Sequence, residues 1–222
     1  MDELSAEMFA RPSVKVVGFE ENQVLIEAAC QEIFGRKFAP EEIAELIAAP
    51  DEAEVEISVH DEDLLELHLG YKWFNGTHDY IFYREGDTRV VEFEEIQVAE
   101  VAPSALEVRL FAKQVRAFRQ FGLNEIRLWA KGHGGDPYWR GYYVWARYGF
   151  RMFIRGTEVV GTPYEGVEDT LELFERFEDS GAADWWRENG SERVAVFYLE
   201  ENSDCCLALD SYLEQKGVNV HG

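Results

Sequence analysis

The sequence predicts an α/β domain built on a mixed sheet, and three observations carry that expectation. Segments with strand and helix patterns follow one another as strand, two helices, three strands, helix, strand, helix, strand. The stretch from Ser104 to Phe150 sets a long amphipathic helix, an alternating strand and a short aromatic helix directly in line. Of the 222 residues, 46% are hydrophobic and 14% aromatic, enough to fill a sizeable core and to exclude wholesale disorder.

Taken in order, residues 1–13 read as a loose leader ended by Pro12, and Val14 to Phe19 as a first strand. Asn22 suits the N-cap of a helix through Phe34, with Leu25, Ala28, Ala29 and Ile33 on one face and Gly35 as its stop. Pro40 opens a second short helix, where Glu41 and Glu42 favour the positive end of the dipole. Three strand candidates follow: 53–60 with Val55, Ile57 and Val59 in alternation, 64–73, and 78–84. Asn75-Gly76 is a turn signal, and Glu85-Gly86-Asp87 turns the third candidate into a pairing with 88–99. In that last segment Val91 and Phe93 take one parity and Ile96 and Val98 the other, so a β-bulge is expected around Glu94-Glu95.

Leu106, Leu110, Val115, Phe118 and Phe121 recur at helical steps up to Gly122, a natural left-handed stop. Asn124 to Ala130 alternates as a strand, and Tyr138 to Tyr148 has helical spacing closed by Gly149-Phe150. Beyond it come a strand candidate (Met152 to Val160), an acidic helix from Val167 to Phe177, the Trp185-Trp186 pair, a strand over Arg193 to Leu199 and a helix from Ser203 to Gln215. No repeat, low-complexity linker or clear domain boundary interrupts the chain.

The formal charge of −23, from 44 acidic against 21 basic side chains, disfavours direct binding to nucleic acid or to an anionic membrane. An acidic solvated surface accounts for it, and so would engagement of a basic partner or imitation of the charge of DNA. Three cysteines, Cys30, Cys205 and Cys206, form no disulfide framework, and the acidic N-terminus has no signal-peptide pattern; a cytoplasmic location is expected.

With these residues in place, the chain resembles the GNAT superfamily of acyl-CoA-dependent N-acetyltransferases. The resemblance rests on LFAKQVRAFRQFGLNEIRLWA, on YYVWARYGF with its Gly-Phe ending, and on the element order from Val14 to Val160. It implies a mixed, mostly antiparallel central sheet flanked by helices over residues 1–160, with residues 161–222 as an α/β extension packed on the same domain. Its pyrophosphate cradle would fall on Ser104, Ala105, Leu106, Glu107 and Val108. There Ala105 and Glu107 occupy the two glycine positions, Pro103 removes an amide donor, and Glu107 puts a carboxylate where phosphates would sit. The family's acid tyrosine corresponds to Trp145, with Tyr142 or Tyr143 as substitutes, and its base to Glu94 or Glu95.

Two of three requirements depart from the pattern. The expectation is therefore a GNAT-like domain that binds no cofactor and works as an acidic protein-binding or assembly module, not as an enzyme. An acyltransferase using acetyl-CoA through a non-standard site is the alternative. The aromatic set Tyr138, Trp139, Tyr142, Tyr143, Trp145, Tyr148 and Phe150 exceeds what one helix buries, and the remainder would anchor a protein partner or a second copy.

Three further features read as structural. Gly132-His-Gly-Gly135 lacks the spacing of a phosphate loop and reads as a flexible loop, with His133 a functional candidate within it. His60, His68 and His78 fall in successive strands without the short spacing of metal ligands, so no metal is expected. No Ser/His/Asp arrangement is evident from spacing alone.

Overall fold

The computed structural model describes residues 2–9, 13–93, 97–136, 138–177 and 181–219, which form two compact units: 1–125 with 213–222, and 126–212. Each is a mixture of helices and strands, as expected.

The first unit opens with α1 (Glu3–Met8), β1 (Lys15–Val17), α2 (Phe19–Phe34) and α3 (Pro40–Leu46). Strands β2 (Glu54–Asp61), β3 (Leu64–Gly70), β4 (Thr77–Glu85) and β5 (Thr88–Phe93) follow, then α4 (Leu106–Gln120). These four strands fall on the segments expected at 53–60, 64–73, 78–84 and 88–99. β1 runs parallel to β2, and β2 through β5 form an antiparallel meander, so this sheet is mixed and mostly antiparallel.

The leader expectation is corrected by α1. Asp2 caps it by accepting from the Ser5 N–H at 3.0 Å, and Ser5 and Met8 are buried. α2 begins at Phe19 rather than after Asn22. Gly18 takes the left-handed conformation at its start, a Cβ there would lie 2.9 Å from the Ile57 carbonyl oxygen, and the Asn22 side chain folds back to the Gly18 carbonyl. The expected bulge at Glu94-Glu95 lies outside the described residues.

The period-2 pattern sorts each strand between two faces. Leu65, Leu67 and Leu69 of β3, with Tyr80 and Phe82 of β4, turn to one face and are buried; the Phe82 ring meets Phe34 of α2 at a tilt and Phe118 of α4 edge-on, with centroids 6.2 and 6.0 Å away. Both helices therefore cover the same side. A buried polar chain runs through this core: Gln114 Nε2 donates to the Tyr80 hydroxyl, which lies 2.9 Å from His78 Nδ1. Burial pushes that hydroxyl well above its ordinary value. The opposite face carries Glu56 and Ser58 of β2, Glu66 and His68 of β3, and Asp79 and Ile81 of β4, all exposed or half-exposed.

The second unit contains β6 (Glu125–His133), α5 (Gly141–Arg147), α6 (Gly156–Val159), α7 (Thr170–Arg176), α8 (Ala182–Asn189), β7 (Ser191–Tyr198) and most of α9 (Asp204–Gln215). β6 and β7 are hydrogen-bonded neighbours. The strand expected over Met152 to Val160 is replaced by isolated bridges, Arg151 to Val196 and Phe153 to Asp169, followed by α6. The helix wins because Glu158 accepts from the Arg155 N–H at 2.8 Å and is held by Arg193 at 2.8 Å. Trp145, Phe150 and Phe197 form a buried aromatic ladder with centroids 5.2 and 5.3 Å apart. Most of the aromatic set is thus core.

Candidate functional site

The residues expected to cradle a pyrophosphate belong to the first unit. α4 starts without a side-chain cap, and its N-cap Ala105 sits at φ 59°, ψ 24°, in the left-handed region. A residue with a Cβ there costs roughly 1–2 kcal/mol relative to right-handed backbone. Ala105 therefore holds a backbone shape that glycine adopts freely. Ser104 is exposed, whereas Leu106 and Val108 turn into the core.

Glu107 is half-buried in the first turn, and burial raises its carboxyl above the ordinary carboxylate range. Arg109, two residues on, is taken up internally: its guanidinium donates to the Asp2 carboxylate and to Ser5 Oγ, the latter at 2.6 Å. That pairing, with the Ser5 and Asn219 N–H groups, holds the Asp2 carboxyl well below the usual range.

The expected bases, Glu94 and Glu95, lie outside the described residues. The expected acids belong to the second unit. Tyr142 is buried; its hydroxyl donates to the Arg187 carbonyl at 2.5 Å, its own carbonyl accepts from Trp186 Nε1 at 3.0 Å, and burial raises its hydroxyl. Its proton is committed to tying α5 to α8. Tyr143 is half-exposed on the adjacent position of α5. The cradle residues thus belong to the first unit and the tyrosines to the second.

The glycine-rich stretch after β6 is a packing device. At Gly132, with φ +100°, a Cβ would lie 2.0 Å from the Trp139 carbonyl oxygen, and at Gly134 1.8 Å from that of Glu188. The Gly134 N–H donates to Gly190 at 2.8 Å, binding the end of β6 to the end of α8. His133 is exposed, its Nδ1 2.9 Å from the Gly134 carbonyl.

The three strand histidines separate. His78 is in the core, His60 is exposed, and His68 sits between two neighbours on the polar face. His68 Nδ1 lies 2.9 Å from Asp79 Oδ1 and Nε2 lies 3.3 Å from Ser58 Oγ. Sequence spacing could not reveal this group, because its members come together only through the register of three strands. Among the described residues, no cluster of histidine, cysteine and carboxylate side chains is arranged to hold a metal ion, and no helix is long and apolar enough to cross a membrane.

No family model matches the chain, nor does any curated protein. It is similar to three solved acetyltransferase structures. Nourseothricin acetyltransferase matches at 17% identity and TM-score 0.28, covering 50% of this chain and 66% of the other. A GNAT-family acetyltransferase of Desulfovibrio desulfuricans matches at 13% and 0.32, covering 81% and 93%. Arabidopsis thaliana Naa50, in complex with the bisubstrate analogue CoA-Ac-MVNAL, matches at 12% and 0.28, covering 61% and 80%. All three TM-scores fall below 0.5, a partial likeness in the arrangement of elements. The expectation that no cofactor is used is corrected by the last of them, a structure that holds an acetyl-CoA analogue. One ground for that expectation also weakens physically: Ala105 holds the left-handed turn without glycine.

Proposed function

We propose that the chain is a GNAT-like acyl-CoA-dependent N-acyltransferase whose pyrophosphate cradle is built without glycine. The observation that carries this reading is the start of α4, where Ala105 holds the left-handed turn and no side chain caps the helix. Ser104 to Val108 would hold the pyrophosphate, and the bound thioester would supply the acyl group. Tyr143 is better suited than Tyr142 to protonate a departing thiolate, because the Tyr142 hydroxyl is committed to Arg187. Glu94 or Glu95 would serve as base.

Titration with acetyl-CoA by calorimetry tests the reading, with a dissociation constant below about 100 µM expected. Ligand at a hundred times that constant stabilises the protein by about 2.7 kcal/mol, which a thermal melt reads independently. Absence of both heat and thermal shift up to millimolar acetyl-CoA would falsify it.

A second reading, an acidic module that binds a protein partner or a second copy, is favoured by exposed aromatic side chains in the second unit. Tyr138 is 88% and Phe153 68% exposed. A sedimentation mass of one copy at every concentration tried would remove the self-association form of this reading.

A further inference from the structure

The polar face of the first unit's sheet holds a second constellation with chemistry of its own. Register sets it up: His68 of β3 stands directly opposite Asp79 of β4, and Ser58 of β2 lies one diagonal step away, opposite Glu66. All three side chains emerge on the face away from α2 and α4, where they are half-exposed and within reach of a small molecule. An ionised Asp79 can only accept, so the 2.9 Å contact requires His68 Nδ1 to carry the proton. Nε2 is then the acceptor, and the group 3.3 Å away is the Ser58 hydroxyl. Nucleophile, base and orienting carboxylate stand in the order that serine acyl transfer needs.

A second observation falls on the same residue. Immediately after Ser58 the ladder slips: Ser58 pairs with Glu66 but Asp61 with Leu64, so Val59 and His60 stand against Leu65 alone. This β-bulge leaves one residue of β2 outside the pairing and re-aims the strand beside the serine.

We propose that Ser58, His68 and Asp79 form a serine esterase site, separate from the start of α4. Ser58 Oγ attacks the carbonyl carbon of a carboxylic ester while its proton passes to His68 Nε2. The C–O bond to the alcohol then breaks, and the departing alkoxide takes that proton. Water, deprotonated by the same nitrogen, attacks the acyl-serine, releasing the carboxylic acid and restoring Ser58. The substrate class is a small ester whose alcohol part is neutral or cationic. Glu56 stands opposite His68 in the ladder, and Glu66 Oε1 lies 3.9 Å from Nε2, so an anionic ester meets like charge.

The full chain is incubated with a fluorophosphonate probe and the adduct located by peptide mass mapping, alongside turnover of p-nitrophenyl acetate. Labelling at Ser58 and its loss in Ser58→Ala are expected, with labelling rate and turnover reduced roughly 10²–10⁴-fold in His68→Ala and Asp79→Asn. Circular dichroism melts confirm that the variants fold; Ser58→Ala removes only one oxygen and tests the proposal even where His68→Ala does not fold. No adduct on Ser58, or an adduct whose rate is unchanged in Asp79→Asn, overturns it. The outcome is independent of acetyl-CoA binding, so either reading can fail alone.

Discussion

Replacing Gly134 with alanine should loosen the second unit far more than its position in a surface turn suggests. The added Cβ would lie 1.8 Å from the Glu188 carbonyl oxygen, 2.4 Å from its carbon and 3.1 Å from the Asn189 nitrogen. All three are backbone atoms, so no side chain can swing away; the end of α8 must retreat by more than an ångström. Such overpacking costs roughly 1–3 kcal/mol. The retreat also breaks the 2.8 Å bond from the Gly134 N–H to Gly190, at about 1 kcal/mol. A loss of about 2–4 kcal/mol in a chain of this size lowers the melting midpoint by roughly 4–16 °C. Tryptophan fluorescence suits the measurement, because Trp129, Trp139, Trp145, Trp185 and Trp186 all belong to this unit. Gly135→Ala is the control: its Cβ would meet nothing within 4 Å, so only the strain of φ +86° is added, about 1–2 kcal/mol. A Gly134→Ala melt within 2 °C of wild type, or a larger loss in Gly135→Ala, would refute the packing account.

Two further predictions concern charge in the first unit. Arg109 holds the Asp2 carboxyl below its ordinary range, so this pairing adds stability above the unfolded aspartate value of ~3.9 and loses it as pH falls toward the lower folded value. Arg109→Ala should therefore lower the urea midpoint at pH 7, with a gap from wild type that narrows by pH 3; an equal gap at both would contradict it. Glu107 shifts the other way: its folded carboxyl titrates above the unfolded value of ~4.3, so its favourable contribution is complete below that pH and is lost as pH rises through the folded value. Glu107→Gln should accordingly gain stability relative to wild type between pH 4 and pH 7 and tighten acetyl-CoA binding at neutral pH; no gain in either would show that this carboxyl is no obstacle.

Local patterns made much of the fold legible. The alternation of Leu65, Leu67 and Leu69 and the helical steps of Leu110, Val115 and Phe118 foretold which side chains turn inward, because one-face burial imposes those periods. Local patterns failed where distant partners decide. α1 is short, and what holds it is Arg109, 107 positions further on. Met152 to Val160 has strand composition, yet Glu158 finds Arg193 and the chain turns into a helix. The glycines at 132 and 134 resembled a flexible or ligand-holding loop because the carbonyls pressing on them come from Trp139 and Glu188. Ser58, His68 and Asp79 share no motif spacing at all; only a register of three strands, with one slipped residue, brings them together.

The pairing of residues 2 and 219 bears on how the first unit is completed. Asp2 and Asn219 exchange two hydrogen bonds, from the Asp2 N–H to the Asn219 carbonyl at 2.8 Å and from the Asn219 N–H to Asp2 Oδ2 at 3.0 Å. Closing a flexible loop of that length costs roughly 5 kcal/mol in chain entropy, so the contact is affordable only once most of the structure has formed. During synthesis the first unit must wait for its second segment, from residue 213 on, until the whole of the second unit has been translated. At about 5–20 residues per second, the segment from 126 to 212 imposes a delay of roughly 4–17 seconds. Through that interval Asp2 at the start of α1 can pair with Arg109 but not with Asn219.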